Sequence, residues 1–226
     1  MEQRCTTFFS RREIQFPGSD CEDSPNFPTA QFLAACQGVA DFLDAFGRIF
    51  LPVKYDIVGN VEKVREKYNE NPDRYATLSQ LIDICSASGA QSDKTAVEDK
   101  LLWLKRGMEF FFLFLKLLAK SLSDGVSHQT SVAPQIRLAY ERALSRHHGF
   151  VSRQLFKVVI HAAPTIESLL TAATYGAPEN TEQAILDTSA FLIPFEESLF
   201  SLCTCYTKRG LEPTATDFDL TRIAVD

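Results

Sequence analysis

From Pro28-Thr29 onward, apolar side chains return at three- and four-residue steps: Phe32, Leu33, Cys36, Val39, Ala40, Leu43 and Phe46. That recurrence gathers them on one face of a helix, and Gly47 is a usual terminator for it. Stretches of the same period cover about residues 53–68, 74–86, 96–122, 133–162, 166–173 and 182–206, separated by clusters of Gly, Pro, Asn and Ser. No alternating strand pattern competes with them, so the chain is predicted to be all-α, a helical bundle of about eight helices. Residues 101–118 are apolar nearly all round, with Lys105, Glu109 and Lys116 on one narrow face, which predicts a helix through the middle of the bundle. Pro194 interrupts the last long pattern and predicts a kink or break near Ile193. Residues 1–26 mix Arg, Asp, Pro, Gly and Ser with little period, so they read as an irregular arm before a domain over residues 27–226.

Composition sharpens this picture in one respect. The 226 residues carry 18 Phe beside 6 Tyr and 1 Trp, so apolar volume far outweighs amphipathic ring chemistry. The charge-free run at residues 110–115 is far short of the ~20 apolar residues a bilayer span needs. Residues 1–10 carry Glu2 and Arg4 with no apolar segment behind them, so no secretory signal is readable. A net charge of −6 and six scattered cysteines without a CxxC suit a cytoplasmic protein with reduced thiols. No nucleic-acid partner is expected.

Four side-chain groups carry candidate chemistry. Asp56, Asn60 and Lys63 fall within about 60° on one helical face, beside Gly59. Spacing alone favours a solvated polar stripe with an Asp-to-Lys pairing along it, while Gly59 leaves room beside it for a ligand. Trp103 and Arg106 share a side with Phe110; the indole is either core filler or a platform for the C–H face of a sugar ring. His148 falls into a stripe with Leu144, Val151, Leu155 and Val159, which would turn it inward while His147 lies about 100° away. On the opposite side Arg142, Arg146, Arg153 and Lys157 cluster within about 60° beside Phe150, as a solvated face or a membrane-touching one. Neither the adjacent histidines nor Cys203 and Cys205 have zinc-ligand spacing, so no metal and no cofactor are assigned.

In collinear order FLAACQGVADFLDAFG, PVKYDIVGNVEKV, WLKRG, HHGFVSRQLF and the HAAP at residues 161–164 resemble the glycolipid transfer protein family. DxxxNxxK is a weak signal by itself and a strong one with WLKRG and HHG following. The resemblance implies a two-layer all-helical bundle enclosing the hydrocarbon chains of a sphingolipid. It implies that Asp56 accepts the ceramide amide N–H, that His148 donates to the amide carbonyl, that Asn60 and Lys63 bind sugar hydroxyls with Asp56, and that Trp103 lies under the first sugar. It also implies that Phe42, Phe46, Phe50, Leu144, Phe156 and Phe191 line the chain tunnel. Ceramide-1-phosphate-type members place a Lys where this chain has Asn60 and an Arg where it has Phe110, so the resemblance favours a sugar head group. Phe150 stands where well-known members carry a membrane-inserting Trp, and no counterpart of their C-terminal Tyr follows Tyr206.

The resulting expectation is a non-enzymatic carrier of a glycosphingolipid, glycosylceramide, that docks transiently on membranes through Phe150 and the basic stripe. The alternatives are a ceramide-1-phosphate-type carrier and a glycolipid sensor that signals to a protein partner. Asp56 and His148 have the residue types of an acid and a base, but no nucleophile motif accompanies them.

Overall fold

The computed structural model describes residues 6–19, 24–86 and 92–212, and among them every regular element is helical. Eight α-helices follow in order: α1 (Thr29–Phe42), α2 (Leu51–Glu70), α3 (Leu78–Ser86), α4 (Ser92–Ser123), α5 (Ala133–Ala143), α6 (Phe150–His161), α7 (Ile166–Ala173) and α8 (Thr181–Lys208). α4 packs against α2, α3, α5 and α8, while α1 lies on α2, α6 on α5 and α7 on α8. The apolar-all-round segment therefore runs through the bundle as its pattern predicts. Met108, Phe111, Phe112 and Phe114 are buried on it, and so are Lys105 and Glu109, which neutralise each other one turn apart. No helix among the described residues is long and apolar enough to cross a membrane.

Short connections are tied by backbone hydrogen bonds. Thr29 N–H donates to Ala76 O at 2.9 Å and Leu78 N–H to Phe27 O at 3.1 Å, joining the starts of α1 and α3. Val132 N–H donates to Pro164 O at 2.9 Å and Ile166 N–H to Thr130 O at 2.9 Å, so the HAAP segment anchors the loops before α5 and α7. After α1 a 3₁₀ turn, Leu43–Phe46, continues the apolar face to Gly47, whose φ of +82° ends it in a conformation that favours glycine.

Three expectations need correction. The pattern over residues 133–162 is two helices, α5 and α6, because residues 144–149 form a turn that ends at Gly149, the residue before α6. Pro194 does not break α8, which stays helical from Thr181 to Lys208. The carbonyl that loses its partner belongs to Ala190, an exposed residue, so water can satisfy it. The described part of the N-terminal segment is irregular in form, with 3₁₀ turns at Phe8–Ser10 and Arg12–Ile14, but it is part of the packed domain. Phe8, Phe9, Ile14 and Phe16 are all buried. Phe16 stacks on Phe195 at 3.9 Å, and the Thr7 hydroxyl donates to Asp187 Oδ2 at 2.6 Å within the core. Aromatic rings have enough area to repay fixing a segment that no helix period organises.

The six expected tunnel-lining residues, Phe42, Phe46, Phe50, Leu144, Phe156 and Phe191, are all buried. The five phenylalanines among them fall into two ring clusters: Phe42, Phe46 and Phe50 contact one another in sequence, while Phe156 joins Phe110 and Tyr140. Phe191 meets Phe9, and Phe9 meets Phe42 at 4.7 Å. An apolar cavity bounded by Phe9, Phe42, Leu115, Leu118 and Leu170 measures about 20 Å³, room for about one water. Aromatic and aliphatic side chains pack together around it in one buried core. Cys36, Cys203 and Cys205 are free and buried. Cys5 and Cys21 lie outside the described residues, as does the side chain of Cys85.

Candidate functional site

α2 presents Asp56 to solvent and Asn60 to the interior one turn later, because Ile57, Val61 and Val64 bury the adjoining face of this helix. The Asn60 side-chain amide donates to Asp56 Oδ2 at 3.3 Å, so the buried amide orients the exposed carboxylate. Lys63 is exposed and its ammonium donates to Glu66 Oε2 at 3.0 Å along the same helix. A Cβ built on Gly59 would meet nothing within 4 Å, so this glycine faces open space and is not needed for helix packing. At Gly107, where α4 passes α2, a Cβ would come 3.8 Å from Ile57, an ordinary contact.

α4 contributes Trp103, partly buried. The guanidinium of Arg106, one turn on, lies 4.9 Å from the indole centroid. The His148 ring approaches the same indole at 5.7 Å and a 32° tilt. His148 sits in the turn before α6 and does not belong to a helical stripe. Of its expected companions Leu144 and Val159 are buried, whereas Val151 and Leu155 are exposed, since the angular register does not carry across the break at residues 144–149. Position is set instead by Tyr140, whose hydroxyl is 3.1 Å from His148 Nδ1 and whose ring stacks on Phe156 at 3.9 Å. Burial holds His148 below the ordinary imidazole pKa; the Asp56 carboxylate opposes that shift, and Arg153 and Arg106 reinforce it. The imidazole is therefore neutral near pH 7, with one N–H donor and one acceptor nitrogen.

Asp56, Asn60, Trp103 and His148 thus converge, two from α2, one from α4 and one from the turn before α6. Lys63 is a turn farther along α2, engaged by Glu66. Sequence reasoning missed Tyr140, which fixes the histidine, and Glu212, whose carboxylate holds Lys105 and Arg106 behind the indole. Neither has a spacing signal: the Tyr140 contact depends on the helix break, and Glu212 is a single acid beyond the last helix.

The basic stripe is not one helical face. Arg142 belongs to α5, Arg146 to the turn, and Arg153 and Lys157 to α6, all four exposed. Arg153 Nε donates to the carbonyls of Ser145 at 3.1 Å and His148 at 2.8 Å, closing the turn that carries the histidine. The stronger surface feature of α6 is apolar. Phe150, Val151, Leu155 and Val158 are 76%, 70%, 63% and 56% exposed, and the three aliphatic residues share about 60° of the helix.

Comparison with known proteins agrees with the all-helical fold. The family model of the Glycolipid transfer protein (GLTP) matches residues 27–174. A curated mouse protein, pleckstrin homology domain-containing family A member 8, is 34% identical over 218 residues, covering 93% of this chain and 40% of its own length. The chain thus spans about two fifths of that relative. The glycolipid transfer protein of zebrafish (Danio rerio) is 32% identical over 189 residues, 81% of this chain and 88% of its own. The solved GLTP-fold of FAPP2, described as selecting simple glycosphingolipids, superposes with a TM-score of 0.77 at 34% identity, covering 91% of this chain and 97% of that one.

Proposed function

The chain belongs to the glycolipid transfer protein family, and from that premise we propose that it binds a glycosylated sphingolipid and carries it between membranes without making or breaking a covalent bond. The observation that carries this reading is the convergence of Asp56, Asn60, Trp103 and His148 at the surface of an aromatic interior. In this arrangement the oriented Asp56 carboxylate accepts the ceramide amide N–H and sugar hydroxyls. With Nδ1 assigned as the acceptor in its 3.1 Å contact with the Tyr140 hydroxyl, the neutral His148 carries its proton on Nε2 for the amide carbonyl. Asn60 and Lys63 bind further hydroxyls, and the indole of Trp103 lies under the first sugar, where its face suits C–H groups.

Magnitudes assign the roles. Taking a two-chain lipid into water exposes about 30 methylenes at ~0.8 kcal/mol each, above ~20 kcal/mol in all. Head-group hydrogen bonds each contribute only ~0.5–1.5 kcal/mol net. Hydrocarbon burial among Phe42, Phe46, Phe50, Leu144, Phe156 and Phe191 therefore supplies the affinity, and the polar cluster chooses the lipid. Since these rings now fill their own space, loading requires them to part. Docking is by the exposed face of α6, with Phe150, Val151, Leu155 and Val158 entering the interface and Arg142, Arg146 and Lys157 near anionic head groups.

A titration with phosphatidylcholine vesicles containing glucosylceramide, read by the fluorescence of the single Trp, tests the assignment. A spectral shift with glucosylceramide and none with plain vesicles is expected. No shift, together with no transfer between vesicles, would remove the proposal, and binding without transfer would favour a glycolipid sensor.

A further inference from the structure

Beyond α8 the chain turns back on itself through a defined cap. Gly210 takes φ +63°, its N–H donates to Thr207 O at 3.1 Å, and Leu211 N–H donates to Tyr206 O at 3.0 Å. This pair of bonds with a left-handed glycine is a Schellman closure, and it returns the next residue onto α4. That residue is Glu212, only 4% exposed. Its Oε2 accepts from Lys105 Nζ at 2.6 Å and its Oε1 from Arg106 Nε at 2.9 Å. Burial alone would raise the Glu212 carboxyl, but Lys105 and Arg106 override it and hold it below its ordinary value. His147 Nε2 is 3.6 Å from Oε1 but accepts a hydrogen bond from Arg146, and burial with Arg106 nearby pushes its pKa down to about 4, so it is a neutral neighbour.

Two cations, Lys105 and Arg106, therefore face two carboxylates, Glu109 and Glu212, and the group is neutral as a whole. Arg106 is also the cation over the Trp103 ring, so the carboxylate that neutralises it lies beside the head-group cluster. We infer that Glu212 is a specificity-determining residue: its carboxylate occupies the guanidinium of Arg106 beside the head-group cluster, backed by the buried Lys105, and so disfavours phosphomonoester lipids relative to uncharged sugars. A phosphomonoester near pH 7 carries between one and two negative charges and seeks charge-assisted bonds from such cations. Here it meets an acid already seated on them, buried and held by a structured cap. Removal of the Glu212 charge leaves the group with one net positive charge and a free Arg106 Nε–H.

The inference rests on the function proposed above, and one set of titrations separates the two. Wild-type protein and Glu212→Gln are titrated with phosphatidylcholine vesicles carrying either glucosylceramide or ceramide-1-phosphate, read by Trp103 fluorescence. The affinity ratio of ceramide-1-phosphate to glucosylceramide is expected to rise by about tenfold or more in Glu212→Gln. In the double variant Arg106→Gln, Glu212→Gln the ratio should fall back. A wild-type chain that ignores glucosylceramide overturns the proposed function. A wild-type chain that responds, with the ratio in folded Glu212→Gln within about twofold of its own, overturns this inference alone. If loss of the charge unfolds the variant, the wild-type protein decides: the NMR resonance of Arg106 Nε–H stays in place when short-chain ceramide-1-phosphate is added, and its displacement overturns the inference.

Discussion

Asp56 and Asn60 divide one task between an exposed acid and a buried amide. The amide fixes the direction of the carboxylate, so replacement of the acid removes an acceptor without opening the core. Asp56→Val is therefore expected to lower glucosylceramide transfer between vesicles by at least about tenfold, the loss of one or two charge-assisted bonds, with helical content by circular dichroism unchanged. Unimpaired transfer would remove Asp56 from the site. His147 gives a pH prediction. Its folded pKa of about 4 lies below the ordinary 6.5, so between those values the unfolded chain binds a proton the folded chain refuses. Stability then falls as pH drops from about 6.5 towards 4, and His147→Gln should flatten the decline in a series of thermal melts. At this scale spacing made Asp56 and Asn60 legible as neighbours, because four residues is one helical turn. Tyr140 and Glu212 were not legible, since their contacts arise where a helix stops and the chain turns.

Helix α6 is separated from α5 by the turn at residues 144–149, so it cannot be read correctly as the end of a longer helix. The stretch over residues 133–162 names Phe156 and Val159, which are buried, yet the turn at residues 144–149 resets the register within it. As a result Val151 and Leu155, which the continuous pattern turns inward, lie in solvent beside Phe150 and Val158. Burial of an exposed aromatic and an exposed leucine contributes ~1.5–3 kcal/mol each at full depth. Phe150→Ser with Leu155→Ser should thus weaken binding to anionic vesicles by more than about tenfold in a flotation assay, and equal binding would dismiss α6 as the docking face. The first helix makes a different point. Its period marked the α1 core face correctly but said nothing of Gly38, where a Cβ would lie 2.5 Å from Ile14 Cγ2. That glycine lets the N-terminal segment lie against α1. Gly38→Ala should cost about 1–3 kcal/mol in a urea melt, the usual range for overpacking, against the small gain a helical Gly→Ala would otherwise bring.

For the molecule as a whole, the N-terminal segment and the proposed lipid interior are one structure. Irregular turns carry no period, so Phe8 and Phe9 were legible only as apolar bulk in an arm. Yet Phe9 touches both Phe42 and Phe191, residues that the family resemblance assigns to the chain tunnel. The segment's rings therefore pack into the same apolar interior as those residues. Phe9→Ala removes a ring that is 3% exposed and should cost about 3–5 kcal/mol of stability in lipid-free protein. A cavity so created is lined by Phe42, Leu115, Leu118 and Leu170, an apolar wall of the kind that stays dry and accepts apolar ligands. If acyl chain reaches this end, lipid carbon refills part of the void, and saturating glucosylceramide stabilises the variant more than the wild type. Differential scanning calorimetry of both proteins with and without lipid should show the Phe9→Ala penalty shrinking by at least about 1 kcal/mol on loading, roughly what re-burying one or two methylenes returns. An identical penalty in loaded and unloaded protein would place the chains elsewhere and leave Phe9 as core alone.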